Sequence, residues 1–94
     1  MKITDVKTFV VGNPPPHFGG LYWIFVKLTT DSGIEGIGEV YSVPFHPSIV
    51  ERMIEDVAGR HVIGADPFKI ERLWRLVYST GYTQRPDTSI AGIL

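Results

Sequence analysis

The stretch Leu21 to Tyr41, LYWIFVKLTTDSGIEGIGEVY, decides the fold. Tyr22 to Thr30 is dense in aromatic and β-branched side chains, which suit a pleated, half-buried surface. Asp31-Ser32-Gly33 supplies turn chemistry, because Gly33 takes positive φ without a Cβ clash. Ile34 to Val40 then heads back, and the pattern predicts a β-hairpin. Gly33, Gly36 and Gly38 stand in the order Gly-x-x-Gly-x-Gly within this strand pattern. A phosphate-cradling loop needs Gly-x-Gly-x-x-Gly after a strand and opening a helix, so these glycines read as turn and closely packed strand.

Towards the N-terminus, Ile3 to Val11 alternates loosely between apolar and polar residues and predicts a first strand. Gly12-Asn13-Pro14-Pro15-Pro16 ends it. Three prolines cannot donate to a ladder and favour an extended polyproline path. Gly19-Gly20 restores freedom, so the loop Gly12 to Gly20 has a stiff half and a loose half. A second loop, Tyr41 to Pro47, follows the hairpin.

After it, Ser48 as N-cap and Glu51 three residues on have capping-box spacing. Ile49, Val50, Met53, Ile54 and Val57 share a helical face, and Gly59 is the expected left-handed C′ residue. Asp66-Pro67 predicts the start of a second helix, with an apolar stripe of Phe68, Ile70, Leu73, Trp74, Val77 and Tyr78. Glu71 and Arg75 have the spacing of an i,i+4 pair. Gly81 ends that helix, Tyr82 to Pro86 is a loop, and a third helix begins near Ser89, carrying Ile90, Ile93 and Leu94. Three strands followed by helices predict an α+β domain. The last helix, apolar and barely two turns long, is marginal without packing partners. These residues are therefore expected to be the front of a longer polypeptide.

The 94 residues fit one domain, 1–94. Nine Lys and Arg against ten Asp and Glu leave a net charge of -1, with no electrostatic footprint for nucleic acid or an anionic membrane. Cysteine is absent, which excludes disulfides and thiolate metal sites. The N-terminal MKITDVKTF lacks the apolar core of a signal peptide and no run reaches membrane-span length, so a soluble, cytoplasmic protein is expected.

His17, His46 and His61 form no i,i+3 or i,i+4 helical pair, so no metal-ligand spacing is present. His61, in a connector before Val62-Ile63, reads as an ordinary surface histidine. His17 and His46 sit in the loops flanking the hairpin, where binding groups collect on rigid scaffolds. No serine has Gly-x-Ser-x-Gly context. Glu39, at a strand end, reads as a carboxylate hydrogen-bonded to structure, since a buried charge must be paired. Phe18, Tyr22, Trp23, Tyr41 and Phe45 cluster about the two loops, either as packing or as an apolar wall over a ligand. From residues alone, this is a small α+β domain with two aromatic, His-bearing loops and no complete catalytic set: a lid.

The order of motifs resembles the N-terminal capping domain of the enolase superfamily, in its mandelate racemase/muconate lactonizing enzyme subgroup. The resemblance rests on the Thr30-Asp31-x-Gly33 turn, the Gly36-Ile37-Gly38-Glu39 strand end, Asp66-Pro67 followed by Glu71-Arg72-Leu73-Trp74, and Ser89-Ile90-Ala91-Gly92, and it covers essentially the whole chain. It implies a three-stranded antiparallel meander followed by a helical segment, with a (β/α)7β barrel that this chain lacks. In that family the barrel holds Mg2+ by three carboxylates. Barrel lysines or a His-Asp pair abstract a proton α to the substrate carboxylate, and the metal stabilises the enediolate. The resemblance further implies that the capping domain supplies no metal ligand. It closes two loops over the barrel mouth to read the substrate and exclude water.

Those loops correspond here to Gly12 to Tyr22 and Val40 to Pro47. The implied substrate-reading residues are His17, Phe18, Tyr22, Tyr41 and His46, with Arg85 added for the fork geometry by which arginine binds oxygen anions. No catalytic or metal-binding residue is expected in this chain. Polar lid loops tilt the expected substrate towards a sugar acid, aldonate or aldarate, dehydrated by an intact enzyme that is a homo-oligomer. Two alternatives stand beside this: the lid of a racemase or cycloisomerase of the same superfamily, or a stand-alone, non-catalytic binding module. A continuation of about 250 residues with strand-end Asp/Glu and a Lys-x-Lys would discriminate them.

Overall fold

The computed structural model describes residues 1–40 and 45–79, the last two by backbone only. Three strands come first: β1 (Ile3–Gly12), β2 (Tyr22–Thr30) and β3 (Glu35–Val40). They form one antiparallel sheet in the order β1-β2-β3. The helix α1 (Pro47–Val57) follows, then a π-helical turn (Ala58–Val62) and the helix α2 (Ile70–Ser79). This is the α+β meander followed by helices that the sequence predicts.

The hairpin register pairs Thr29 with Glu35 and Ile24 with Val40, and the turn between them is held by Thr30. Thr30, buried, accepts at Oγ1 from the Ile34 amide (3.1 Å) and donates to the Ile34 carbonyl (2.9 Å). Gly33 takes φ 85°, the left-handed conformation that the turn requires. The Lys2 amide donates to Asp31 Oδ1 (3.1 Å) and the Asp31 amide donates to the Lys2 carbonyl (3.0 Å), so the N-terminus clamps the same turn.

One sheet face carries Ile24 and Val40, and α1 lies across it with Val50 and Ile54. Val6, Val26 and Phe45 pack around these four. Past α1, the Gly64 amide donates to the Ile3 carbonyl (2.8 Å) and the Ile3 amide to the Ala65 carbonyl (2.9 Å), which sews the connector onto the start of β1.

The helix ends differ from expectation. His46, not Ser48, is the N-cap of α1, with extended backbone (φ -64°, ψ 142°), and Pro47 opens the helix. Glu51 closes no capping box; its carboxylate instead accepts from Thr8 Oγ1 of β1 at 2.8 Å. Gly59 is not a left-handed C′ residue. It lies inside the π turn, where the Ile63 amide reaches back to the Ala58 carbonyl (2.9 Å), and positive φ is taken later by Gly64 at 90°. Asp66 does cap, accepting from the Phe68 amide at 3.0 Å, but the segment to Lys69 is a turn and α2 proper begins at Ile70. The Glu71–Arg75 pair is present at 3.8 Å on an exposed face.

The apolar stripe expected of the second helix is exposed in large part, with Phe68 in the turn at 77% and Ile70 at the start of α2 at 73%. A hollow of about 400 Å³ separates Leu73, Trp74 and Val77 from the sheet side of Gly36 and Gly38. The expected third helix from Ser89 lies outside the described residues. No helix among the described residues is long and apolar enough to cross a membrane.

Candidate functional site

At the end of the sheet where β1 finishes and β2 begins, the loop 13–21 is folded upon itself by one side chain. Asn13 Nδ2 donates to the Phe18 carbonyl (2.8 Å) and to the Gly20 carbonyl (2.6 Å), while its amide donates to the Leu21 carbonyl (2.9 Å). Asparagine, with two amide hydrogens, satisfies both carbonyls at once. The three prolines do not extend as a polyproline rod. The Pro15-Pro16 peptide is cis, and the His17 amide closes a turn onto the Pro14 carbonyl at 3.0 Å.

His17 stands in the left-handed region at φ 61°, and its Nδ1 lies 2.7 Å from the Asn13 carbonyl. Gly19 (φ 86°) passes so close to Trp23 that a Cβ there would come within 2.8 Å of the indole Cη2. Trp23 is thus the floor of the loop. Phe18 is pushed outward to 82% exposure.

The second loop reaches the same end. The His46 ring lies 6.2 Å from the Tyr22 ring, centroid to centroid, tilted by 54°. Tyr22 and His17 in turn line one shallow hollow with Asn13, Pro14 and Leu21. So His17, Tyr22 and His46 stand together at one end of the domain, Phe18 projects beside them, and Phe45 turns inward against the core. Tyr41 and Arg85 lie outside the described residues. Glu39 departs from expectation: it is exposed on β3 rather than buried and bonded, and it is the one charged residue lining the larger hollow among the described residues. Its other lining residues among those described are apolar or glycine, which fits packing rather than recognition.

Asn13 and Trp23 organise the loop: Trp23 takes the packing role that the loop aromatics allow, and no local sequence pattern points to Asn13. The legible signal for the His46 cap was Pro47, since proline favours the first helical position and so places the cap one residue before it. Among the described residues no group of three or more His, Asp or Glu side chains stands placed to hold a metal ion.

A family model for the N-terminal domain of mandelate racemase / muconate lactonizing enzyme matches residues 19–93. The chain belongs to this family and is an N-terminal capping domain of the enolase superfamily. It is 34% identical over 96 residues to the D-galactonate dehydratase of Cronobacter sakazakii, covering 99% of this chain and 22% of that protein. It is 33% identical over 91 residues to a D-galactonate dehydratase family member of Oceanicola granulosus, covering 97% and 21%. A solved structure of a mandelate racemase/muconate lactonizing enzyme family protein from Labrenzia alexandrii superposes with a TM-score of 0.90 at 54% identity, over 99% of this chain and 24% of that one. The chain spans less than a quarter of the length of each.

Proposed function

We propose that this domain is the lid of a sugar-acid dehydratase, reading the end of the substrate remote from its carboxylate. The observation that carries the reading is the meeting of Tyr22 and His46, rings 6.2 Å apart, beside the hollow that holds His17. Two loops far apart in sequence thereby present polar, exposed groups at one end of a rigid sheet, as a specificity surface requires. The dehydratase names of two relatives support the choice of reaction class.

In this reading the barrel removes the proton α to the carboxylate and the β-hydroxyl departs as water. Mg2+, in the same reading, would be held by the barrel and would stabilise the charge that develops on the substrate carboxylate. Their part is to bind the hydroxyl-bearing end of the substrate, with His17, Phe18, Tyr22, Tyr41, His46 and Arg85 as the contacting set. The exposed Phe18 and the prolines before it seal the mouth against water.

The test uses the intact enzyme and a panel of aldonates and aldarates. Replacing His17 or His46 by alanine should change kcat/KM between acids by roughly tenfold, the worth of one hydrogen bond of about 1.4 kcal/mol, while Mg2+ affinity holds. Collapse of metal binding, or an unchanged substrate profile, would overturn the assignment.

A further inference from the structure

The two loop histidines are held by partners whose hydrogen-bonding roles are fixed, and those partners decide which ring nitrogen carries the proton. His46 Nδ1 lies 3.2 Å from the Ser48 amide and 2.9 Å from the Ser48 hydroxyl. A backbone amide can only donate, so Nδ1 is the bare, accepting nitrogen, in the manner of any N-cap side chain. A neutral imidazole with a bare Nδ1 carries its proton on Nε2. His17 is the reverse. Its Nδ1 lies 2.7 Å from the Asn13 carbonyl, which can only accept. Nδ1 is therefore the donor, and Nε2 is bare in the neutral ring. Both rings are exposed, and nothing among the described residues bonds either Nε2.

We infer that His17 and His46 face the substrate with opposite polarity, His46 donating from Nε2–H and His17 accepting at Nε2, and that this pair selects a hydroxyl-bearing tail over a second carboxylate. The inference rests on the lid reading above and sharpens it from sugar acids in general to aldonates. An alcohol both donates and accepts, so neighbouring hydroxyls satisfy both nitrogens. A carboxylate only accepts. With the His17 ring neutral, a carboxylate would suit His46 but set its lone pairs against the bare nitrogen of His17, leaving that acceptor without a donor. Discrimination arises from that mismatch.

Asparagine separates the structural half of each ring from its substrate half. In His46→Asn, Oδ1 still accepts from the Ser48 amide, asparagine being among the best N-caps. In His17→Asn, Nδ2 still donates to the Asn13 carbonyl, and asparagine tolerates the positive φ of that position. Both variants lack the outward Nε2. The experiment has two arms, both on the full-length enzyme in mildly alkaline buffer.

In the first, selective 15N-histidine labelling and two-bond proton–nitrogen correlations report the tautomers, each variant assigning its own signal by removal. His46 should show the Nε2–H pattern and His17 the Nδ1–H pattern; two rings of one tautomer, or the opposite assignment, overturns the inference. In the second, kcat/KM is compared for an aldonate and the aldarate of matching configuration. The parent should favour the aldonate at least tenfold, and each asparagine variant should lose most of that preference while Tm stays within about 2 °C of the parent. An equal or reversed parental preference overturns the inference while leaving the dehydratase reading standing. If no sugar acid is turned over at all, the dehydratase reading falls, and the tautomer pattern alone decides whether the opposed pair exists.

Discussion

Thr8 Oγ1 donates to Glu51 Oε2 at 2.8 Å, a part-buried hydrogen bond between residues 43 positions apart that fastens β1 to α1. A bond to an ionised acceptor is worth more than a neutral one, and removing the donor leaves a partly desolvated carboxylate unpaired. Thr8→Val, close in shape, should therefore lower stability by about 1–2 kcal/mol in urea unfolding. Glu51→Gln, whose amide oxygen still accepts, should cost less than half as much. Equal losses in the two variants would show that the bond does not carry the contact.

The cap of α1 gives a second, opposite-looking outcome. Ser48 is the residue type that ordinarily caps, yet the accepting atom is His46 Nδ1. Ser48→Ala keeps the amide that donates to that nitrogen and should cost no more than about 0.5 kcal/mol. His46→Ala removes the acceptor and should cost about 1 kcal/mol, recovered in His46→Asn. Thermal unfolding of the three variants decides the order; a larger loss from Ser48→Ala would return the cap to serine.

These two contacts mark the boundary of what the sequence could convey. The strands were legible because Tyr22 to Thr30 is built of residues suited to a sheet, and Gly33 announces the turn through a conformation few other residues adopt. The two histidine-bearing loops could be assigned to one end of the hairpin because a meander returns its chain there. The Glu51 partner could not be read, because the capping-box spacing is a local pattern and Thr8 competes for the carboxylate through the tertiary fold. The tautomers were equally hidden: they depend on the Asn13 carbonyl and the Ser48 amide, backbone groups whose direction exists only once the loops are folded. Gly59 looked like a stop, but an i→i+5 bond from Ile63 to Ala58 carries the chain past it.

Asn13 should prove more sensitive to a conservative change than to a drastic one. Its Nδ2 sits between two carbonyl oxygens, at 2.8 Å from Phe18 and 2.6 Å from Gly20. Asn13→Ala simply removes two exposed bonds, costing about 1 kcal/mol. Asn13→Asp replaces the donor by a charge that repels both carbonyls, so it should loosen the loop further. Limited proteolysis across residues 14–20 should speed up in the order parent, alanine, aspartate. If aspartate were cut no faster than alanine, the side chain would not be holding the loop through donation.

Gly19 and Gly33 separate backbone strain from steric contact. Their φ values are nearly the same, 86° and 85°, yet a Cβ at Gly33 would meet nothing within 4 Å and a Cβ at Gly19 would stand 2.8 Å from the Trp23 indole. Gly33→Ala should cost only the conformational part, roughly 1–2 kcal/mol. Gly19→Ala should cost about 1 kcal/mol more, because the indole has to move and the loop it floors moves with it. The excess should shrink when Trp23→Phe is combined with Gly19→Ala, since a phenyl ring withdraws the clashing edge; this coupling is read from a double-mutant cycle in urea. The same pair should alter substrate preference in the intact enzyme only through Gly19, because Gly33 turns the hairpin at the opposite end of the strands from His17 and Tyr22. A shift in preference from Gly33→Ala would mean that the sheet does not insulate its two ends.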